Sequence, residues 1–344
     1  MSALSPGNKV IQVQYLRGLA VMLVVLAHIH QSDARFLMPS LLGDYAYFGF
    51  SGVDLFFVIS GFIIHWLYRS HDKPDPAYFL KRINRIYPLY WIFTLAALAG
   101  YVVIGDSLTA ETGELNLVES FTLAPSVQAP VLMVGWTLTH ELYFYLAYGL
   151  ALMLPRGLRI WVGLAWGGAS LAFMWVEPGA LGPWLAVLLS PFNLLFLAGA
   201  FLAGALEKSQ TQRWPALALS LAGAALGLWW MSNHGIDGLT DPRWRVAILA
   251  PFAIGTVWAF LAWSPRLPDF AGLLGDWSYS IYLSHILAIG VLARFVPGVV
   301  GTAVLASLGF YAICLAACII LGWLSHRMLE QPLLKLGRGL IRRG

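Results

Sequence analysis

Ten apolar runs recur along this 344-residue chain, and they leave little freedom in its architecture. Each is about 17–25 residues long, the length at which a helix crosses the hydrocarbon layer of a bilayer. They fall at roughly 11–29, 48–68, 86–104, 134–154, 158–176, 184–206, 214–232, 246–263, 272–294 and 300–325. Of all residues, 59% are hydrophobic and 11% charged. A soluble domain carries about 25% charge, so this balance belongs to a multi-span membrane protein. The fold expected is an all-α integral membrane protein of about ten transmembrane helices.

The basic residues set its direction. With the N-terminus in the cytoplasm, Lys9, Arg17, Arg69, Lys73, Lys81, Arg82, Arg85, Arg156, Arg159, Lys208, Arg213, Arg266, Arg327, Lys335, Arg338, Arg342 and Arg343 fall inside. Arg35, Arg243, Arg245 and Arg294 fall outside. Seventeen against four follows the positive-inside rule and predicts both termini in the cytoplasm. The long outer loop holds Asp106, Glu111, Glu114 and Glu119 without a Lys or Arg. The net charge of +4 follows this topology, so it does not point to nucleic acid. No cleavable signal pattern opens the chain, and the first span is expected to be retained. With no internal repeat or low-complexity linker, residues 1–344 read as one membrane domain. Cys314 and Cys318, one helical turn apart in an apolar run, read as packing residues; no other Cys/His pair completes a metal site.

Against this apolar background the ionisable residues stand out. Arg17 and His28 share the first span. Eleven helical steps of ~100° bring them to one face, roughly 16 Å apart along the axis. An imidazole at that depth usually faces a cavity and marks a functional path. Asp54 lies just inside the second span, where it either serves structure, as a helix-packing ion pair or a capped kink near Gly49 and Gly52, or orients a group such as His28. His65, near the other end of that span, reads as an interfacial histidine.

Arg82 and Arg85 precede the third span one turn apart, with Lys81 adjacent. Two guanidinia at that spacing can fork onto a diphosphate; juxtamembrane basic residues also serve as topology signals or anionic-lipid contacts. The fourth span opens WTLTHE (136–141), placing Trp136, His140 and Glu141 together. His140 and Glu141 point ~100° apart, and either can reach across to the first helix. A buried carboxylate beside an imidazole fixes its tautomer and stabilises its charged form, the part a triad acid plays. In the ninth span, SYSIYLSH (278–285) lines up Ser278, Tyr279, Tyr282 and His285 as helix glue or cavity lining. In the tail, Glu330 can pair with one of the inner arginines. There is no GxxxxGK[ST] loop, no GxGxxG fingerprint and no GxSxG elbow.

In this order, Arg17 and His28, GVDLFFVISGF (52–62), Arg82-x-x-Arg85 before YPLYW (87–91), WTLTHE and SYSIYLSH resemble the membrane-bound acyltransferase 3 family, whose members O-acylate exported glycans. The resemblance spans about residues 10 to 332, and the motifs are specific as a set. Many relatives carry Val-Glu or Phe-Glu where this chain has His140-Glu141, so the extra imidazole leaves open which group assists His28.

The resemblance implies an acyl-CoA-dependent O-acyltransferase in the inner (plasma) membrane, most simply an O-acetyltransferase. Its co-substrate is acetyl-CoA or another acyl-CoA, with no permanently bound cofactor and no metal. Its acceptor is a glycan or lipid-linked saccharide, such as an exopolysaccharide or O-antigen. His28, Glu141 and Asp54 are implied as catalytic residues. Arg17, Arg82, Arg85 and Tyr279 are assigned to the acyl-CoA, and His140, Trp136 and His285 to the acceptor. An acyl-histidine intermediate is the alternative chemistry. The competing function is a proton-coupled transporter or flippase for a glycan or lipid, using Asp54, Glu141, His28 and His285 as a relay; the basic rim and the lack of paired repeats favour the enzyme.

Overall fold

The computed structural model describes residues 10–36, 42–71, 75–104, 116–176, 181–205, 212–295 and 303–341. Regular structure among these residues is helical throughout. In chain order the helices are α1 (Ile11–Phe36), a 3₁₀ segment (Gly43–Phe50) running into α2 (Ser51–Tyr68), α3 (Tyr78–Ile104), α4 (Leu117–Thr122), α5 (Gly135–Leu152) and α6 (Arg156–Phe173). Then follow α7 (Pro183–Leu188), α8 (Phe192–Gly204), α9 (Arg213–His234), α10 (Pro242–Trp263), α11 (Asp269–Phe295) and α12 (Ala303–Ser325). A π-helical turn, His326–Glu330, carries α12 into α13 (Gln331–Ile341).

Every apolar run carries helix. The run at 184–206 is divided, because Pro191 between α7 and α8 has no N–H to continue the backbone ladder. Seven helical segments among the described residues are long and apolar enough to cross a membrane: Ile11–Asp33, Gly43–Tyr68, Tyr78–Val103, Pro183–Gly204, Arg213–Leu239, Pro242–Trp263 and Ala306–Ile341. The protein is a multi-pass membrane protein. The other three expected spans carry α5, α6 and α11, which are not among these seven; these helices contain Arg156 and Arg159 and the polar motifs around Glu141 and His285. Lys9, Lys73, Asp106, Glu111, Glu114, Lys208, Arg342 and Arg343, used in assigning topology, lie outside the described residues, as does the Arg35 side chain.

The chain folds into two compact units, each assembled from three separated stretches. The first comprises Met1–Val24, Asp44–Asp75 and Tyr143–Asp276; the second comprises Val25–Gly43, Pro76–Leu142 and Trp277–Gly344. In the first, α2 packs on α8 and α10, and α9 packs on α10. The α2–α8 approach depends on glycine. A Cβ at Gly61 would lie 1.9 Å from the Phe196 carbonyl oxygen, and one at Gly199 would lie 1.9 Å from that of Val58. Helices pack backbone to backbone this way where small residues face each other.

Asp54, fully buried on α2, meets Arg245 of α10: Nη2 and Nε donate to Oδ2 at 2.9 and 3.2 Å. Arg245 Nη2 also donates to the Phe50 carbonyl at 3.0 Å, tying the 3₁₀ segment to the same pair. Of the two parts open to Asp54 in the sequence, the ion pair is the one the structure displays. His65 Nδ1 pairs with the Tyr148 hydroxyl at 3.0 Å.

In the second unit α13 packs on α3, and the π turn touches α3 as well. Gly337 of α13 lies so close to Asn84 of α3 that a Cβ would sit 1.8 Å from the amide oxygen.

Removing one partner of a buried ion pair strands the other and costs about 3–5 kcal/mol, whereas apolar replacement of both is close to neutral. The single variant Arg245→Met should therefore unfold at a lower temperature in detergent than the double variant Asp54→Leu/Arg245→Met. Equal losses in a thermal unfolding series would show that the pair does not act as a unit.

Candidate active site

The second unit gathers most of the residues singled out in the sequence. On α1 the segment from Val25 to Asp33 is apolar except at His28, His30, Gln31, Ser32 and Asp33. Positions 28 and 30 point ~200° apart on a helix, so their side chains leave opposite sides. His30 meets the Tyr311 hydroxyl of α12 at 3.1 Å, and Asp33 accepts from Ser307 of the same helix at 2.8 Å. His28 meets α11 instead. Its Nδ1 lies 3.3 Å from Nε2 of His285, and the two rings stand edge to face with centroids 4.8 Å apart. His28 is 8% exposed and His285 0%.

His285 is held from its own helix. Nδ1 lies 2.7 Å from the Tyr282 carbonyl oxygen and 3.2 Å from that of Ile281. These are the carbonyls three and four residues back, the ones a helical side chain reaches. One turn earlier, the Tyr282 hydroxyl pairs with Thr137 Oγ1 at 2.8 Å, linking α11 to the start of α5. This link holds the WTLTHE segment. His140 turns its Nδ1 back to the Trp136 carbonyl at 3.0 Å and stands edge-on to the Trp136 ring.

A second polar cluster joins α3, α11 and the π turn. Arg85 of α3 forms an ion pair with Glu330 and lies over the Tyr279 ring, 4.7 Å from its centroid. The Tyr279 hydroxyl donates to the Ile86 carbonyl at 2.7 Å. Glu330 also accepts from Ser280 Oγ at 2.7 Å and His326 Nδ1 at 2.9 Å. The π turn places His326 and Glu330 side by side, and such turns often occur at functional sites. Glu141 lies within electrostatic reach of both Arg85 and Tyr279. Glu330 orients the guanidinium of Arg85, whose side chain is 28% exposed.

The second unit thus contains His28, Arg82, Arg85, Trp136, His140, Glu141, Tyr279 and His285. Arg17, half-buried on α1, and Asp54 belong to the first. Among the described residues no group of three or more His, Cys, Asp or Glu stands together as a metal site. Several partners went unnoticed in the sequence. His30 and Asp33 bore the same signal as His28, a polar residue in an apolar helix. Arg245 was recognised only as an outer arginine, although a buried acid such as Asp54 calls for a nearby cation. Thr137 and His326 gave no sequence signal.

Comparison with known proteins decides the family. Residues 10–327 match the acyltransferase domain family. The chain is 32% identical to the exopolysaccharide production protein ExoZ of Rhizobium meliloti (strain 1021), over 86% of this chain and 93% of that protein. It is 26% identical to the acyltransferase MdmB of Streptomyces mycarofaciens, over 93% of this chain and 90% of that protein. Nodulation protein 10 of Rhizobium leguminosarum bv. viciae is 28% identical over 86% of this chain and 85% of its own length. No solved structure matches the chain.

The chain belongs to the acyltransferase 3 family. For this acyltransferase, the match covers α1 through the start of the π turn, and so includes His28, His285, Arg85, Tyr279 and His326 but ends three residues before Glu330.

Glu330 anchors α3, α11 and the π turn at once. Glu330→Ala should therefore lower the unfolding temperature in detergent more than Ser280→Ala, which removes a single neutral donor. If Glu330→Ala melted with the wild type, the cluster would contribute nothing to holding these helices together.

Proposed function

We propose that the protein is an acyl-CoA-dependent O-acyltransferase of the inner membrane that esterifies a hydroxyl of an exported or lipid-linked glycan, with His28 as the general base. The observation that carries this reading is His28 itself. In a chain of an acyltransferase family, a nearly buried imidazole is held by a second imidazole inside an apolar helix bundle. The likeness to an exopolysaccharide production protein supports a glycan acceptor. In this reading the chain crosses the bilayer about ten times and both termini are cytoplasmic.

Acyl-CoA approaches from the cytoplasm. Arg82 and Arg85 on one face of α3 take its phosphates. Guanidinia suit this task because they bind phosphate oxygens in pairs and stay charged. Tyr279, beneath the Arg85 guanidinium, keeps that group in place. The acceptor glycan enters from the opposite side, along Trp136 and His140.

His28, neutral at rest, takes the proton of the sugar hydroxyl as its oxygen attacks the thioester carbonyl. The C–O bond forms, the tetrahedral intermediate collapses and the C–S bond breaks. The departing thiolate recovers the proton from the imidazolium, so products are the glycan ester and CoA thiol. Glu141 is the carboxylate assigned to stabilising the transient positive charge. Asp54 serves through its pairing with Arg245, holding α2 against α10.

Purified protein incubated with labelled acetyl-CoA and exopolysaccharide should place label on the polysaccharide. His28→Ala should remove this activity in protein that remains folded. Wild-type turnover in His28→Ala would overturn the base assignment. Arg82→Ala should raise KM for acetyl-CoA about tenfold with kcat nearly unchanged, the loss of one charge-assisted contact of roughly 1.5 kcal/mol. An unchanged KM would return Arg82 to topology or lipid binding.

A further inference from the structure

We propose that His285 is a positioning residue that sets the tautomer of His28, accepting a hydrogen bond from His28 Nδ1–H so that His28 Nε2 is the proton-accepting nitrogen. The proposal rests on the reading of His28 as the general base and gives that base an oriented atom. It assigns His285, expected from sequence to line the acceptor site, to the base itself.

The argument runs from acceptors to donors. The Tyr282 and Ile281 carbonyls facing His285 Nδ1 have lone pairs and no hydrogen. Nδ1 must therefore carry the ring proton and share it between them. His285 has no exposed surface, and among the described residues its ring hydrogen-bonds to these two carbonyls and His28, none of them a carboxylate that would offset a charge. A charged ring in such surroundings is costly, so His285 is neutral. A neutral imidazole with its proton on Nδ1 has only a lone pair on Nε2. At 3.3 Å from His28 Nδ1, that lone pair fits a hydrogen bond only if His28 supplies the hydrogen. His28 is then protonated on Nδ1, and its lone pair is on Nε2.

The chain of bonds runs from the α11 backbone through His285 to His28, a sequence of fixed dipoles inside an apolar unit. When His28 Nε2 takes the hydroxyl proton, its Nδ1–H becomes a charge-assisted donor and the bond to His285 strengthens. His285 thus fills the place that a carboxylate occupies in a hydrolase triad, as a neutral acceptor that orients the base. Tyr282, whose carbonyl receives His285 Nδ1–H, is itself fixed by Thr137, so three helices contribute to holding one proton position.

The test uses the full-length protein with ¹⁵N-labelled histidine in lipid nanodiscs. Long-range ¹⁵N–¹H correlation shows which nitrogen of each ring carries hydrogen, and His28→Ala identifies the His28 signals. In the wild type, His28 should be protonated on Nδ1. His285→Gln places a carboxamide oxygen where Nε2 stood, so it should keep that tautomer and hold kcat within about tenfold. His285→Phe has no acceptor, so His28 should populate the Nε2–H form and kcat should fall on the order of 100-fold, with KM for acetyl-CoA unchanged. A wild-type His28 protonated on Nε2 would overturn the proposal. So would a His285→Phe protein that retains either the Nδ1–H tautomer or wild-type kcat. If His285→Phe does not fold, the wild-type and His285→Gln spectra still decide. An Nδ1–H signal in wild-type protein that transfers no acyl group would support the tautomer assignment and overturn the acyl-transfer reading alone.

Discussion

A polar group shut away from water inside an apolar helix bundle must be satisfied by the protein, and this requirement organises the structure described above. Several buried ionisable residues meet a partner on another element: His28 meets His285, Asp54 meets Arg245, Glu330 meets Arg85, and His30 meets Tyr311. In a membrane protein, where apolar contact between helices competes with equally apolar lipid, such pairs and close glycine contacts fix which helices neighbour which. The polar residues therefore build the scaffold and the chemistry together. Arg85 is the clearest case, since the carboxylate that anchors α3 to the π turn also aims its guanidinium.

The helices themselves were legible from hydropathy. Run lengths marked where α1, α2, α3 and α8 to α12 would lie, because bilayer thickness imposes a minimum on apolar length. The runs at 134–154, 158–176 and 272–294 likewise carry α5, α6 and α11, with the polar residues around Glu141 and His285 set inside apolar helices. The grouping of stretches into two interleaved units was not readable, because it depends on contacts between residues hundreds of positions apart.

For the site, sequence identified positions better than partnerships. Periodicity placed His28, Arg85, Glu141 and His285 on particular helices, but helical spacing says nothing about which helix lies opposite. Asp54 illustrates the gap: its depth called for a partner, and the sequence offered both an imidazole and an ion pair as answers. The cation at Arg245 is 191 residues away in the chain. His285 illustrates the reverse. It was assigned to the acceptor, while its place depends on two carbonyls of its own helix that no residue pattern reveals.

In the account proposed here, a thioester and a sugar hydroxyl come from opposite faces of the bilayer to one imidazole within the protein. Reconstituted proteoliposomes test this most directly, with the acceptor polysaccharide sealed inside and labelled acetyl-CoA supplied only outside. Label should appear as ester on the enclosed polysaccharide while CoA thiol accumulates outside. Acetylation that occurs only when donor and acceptor share one compartment would contradict it.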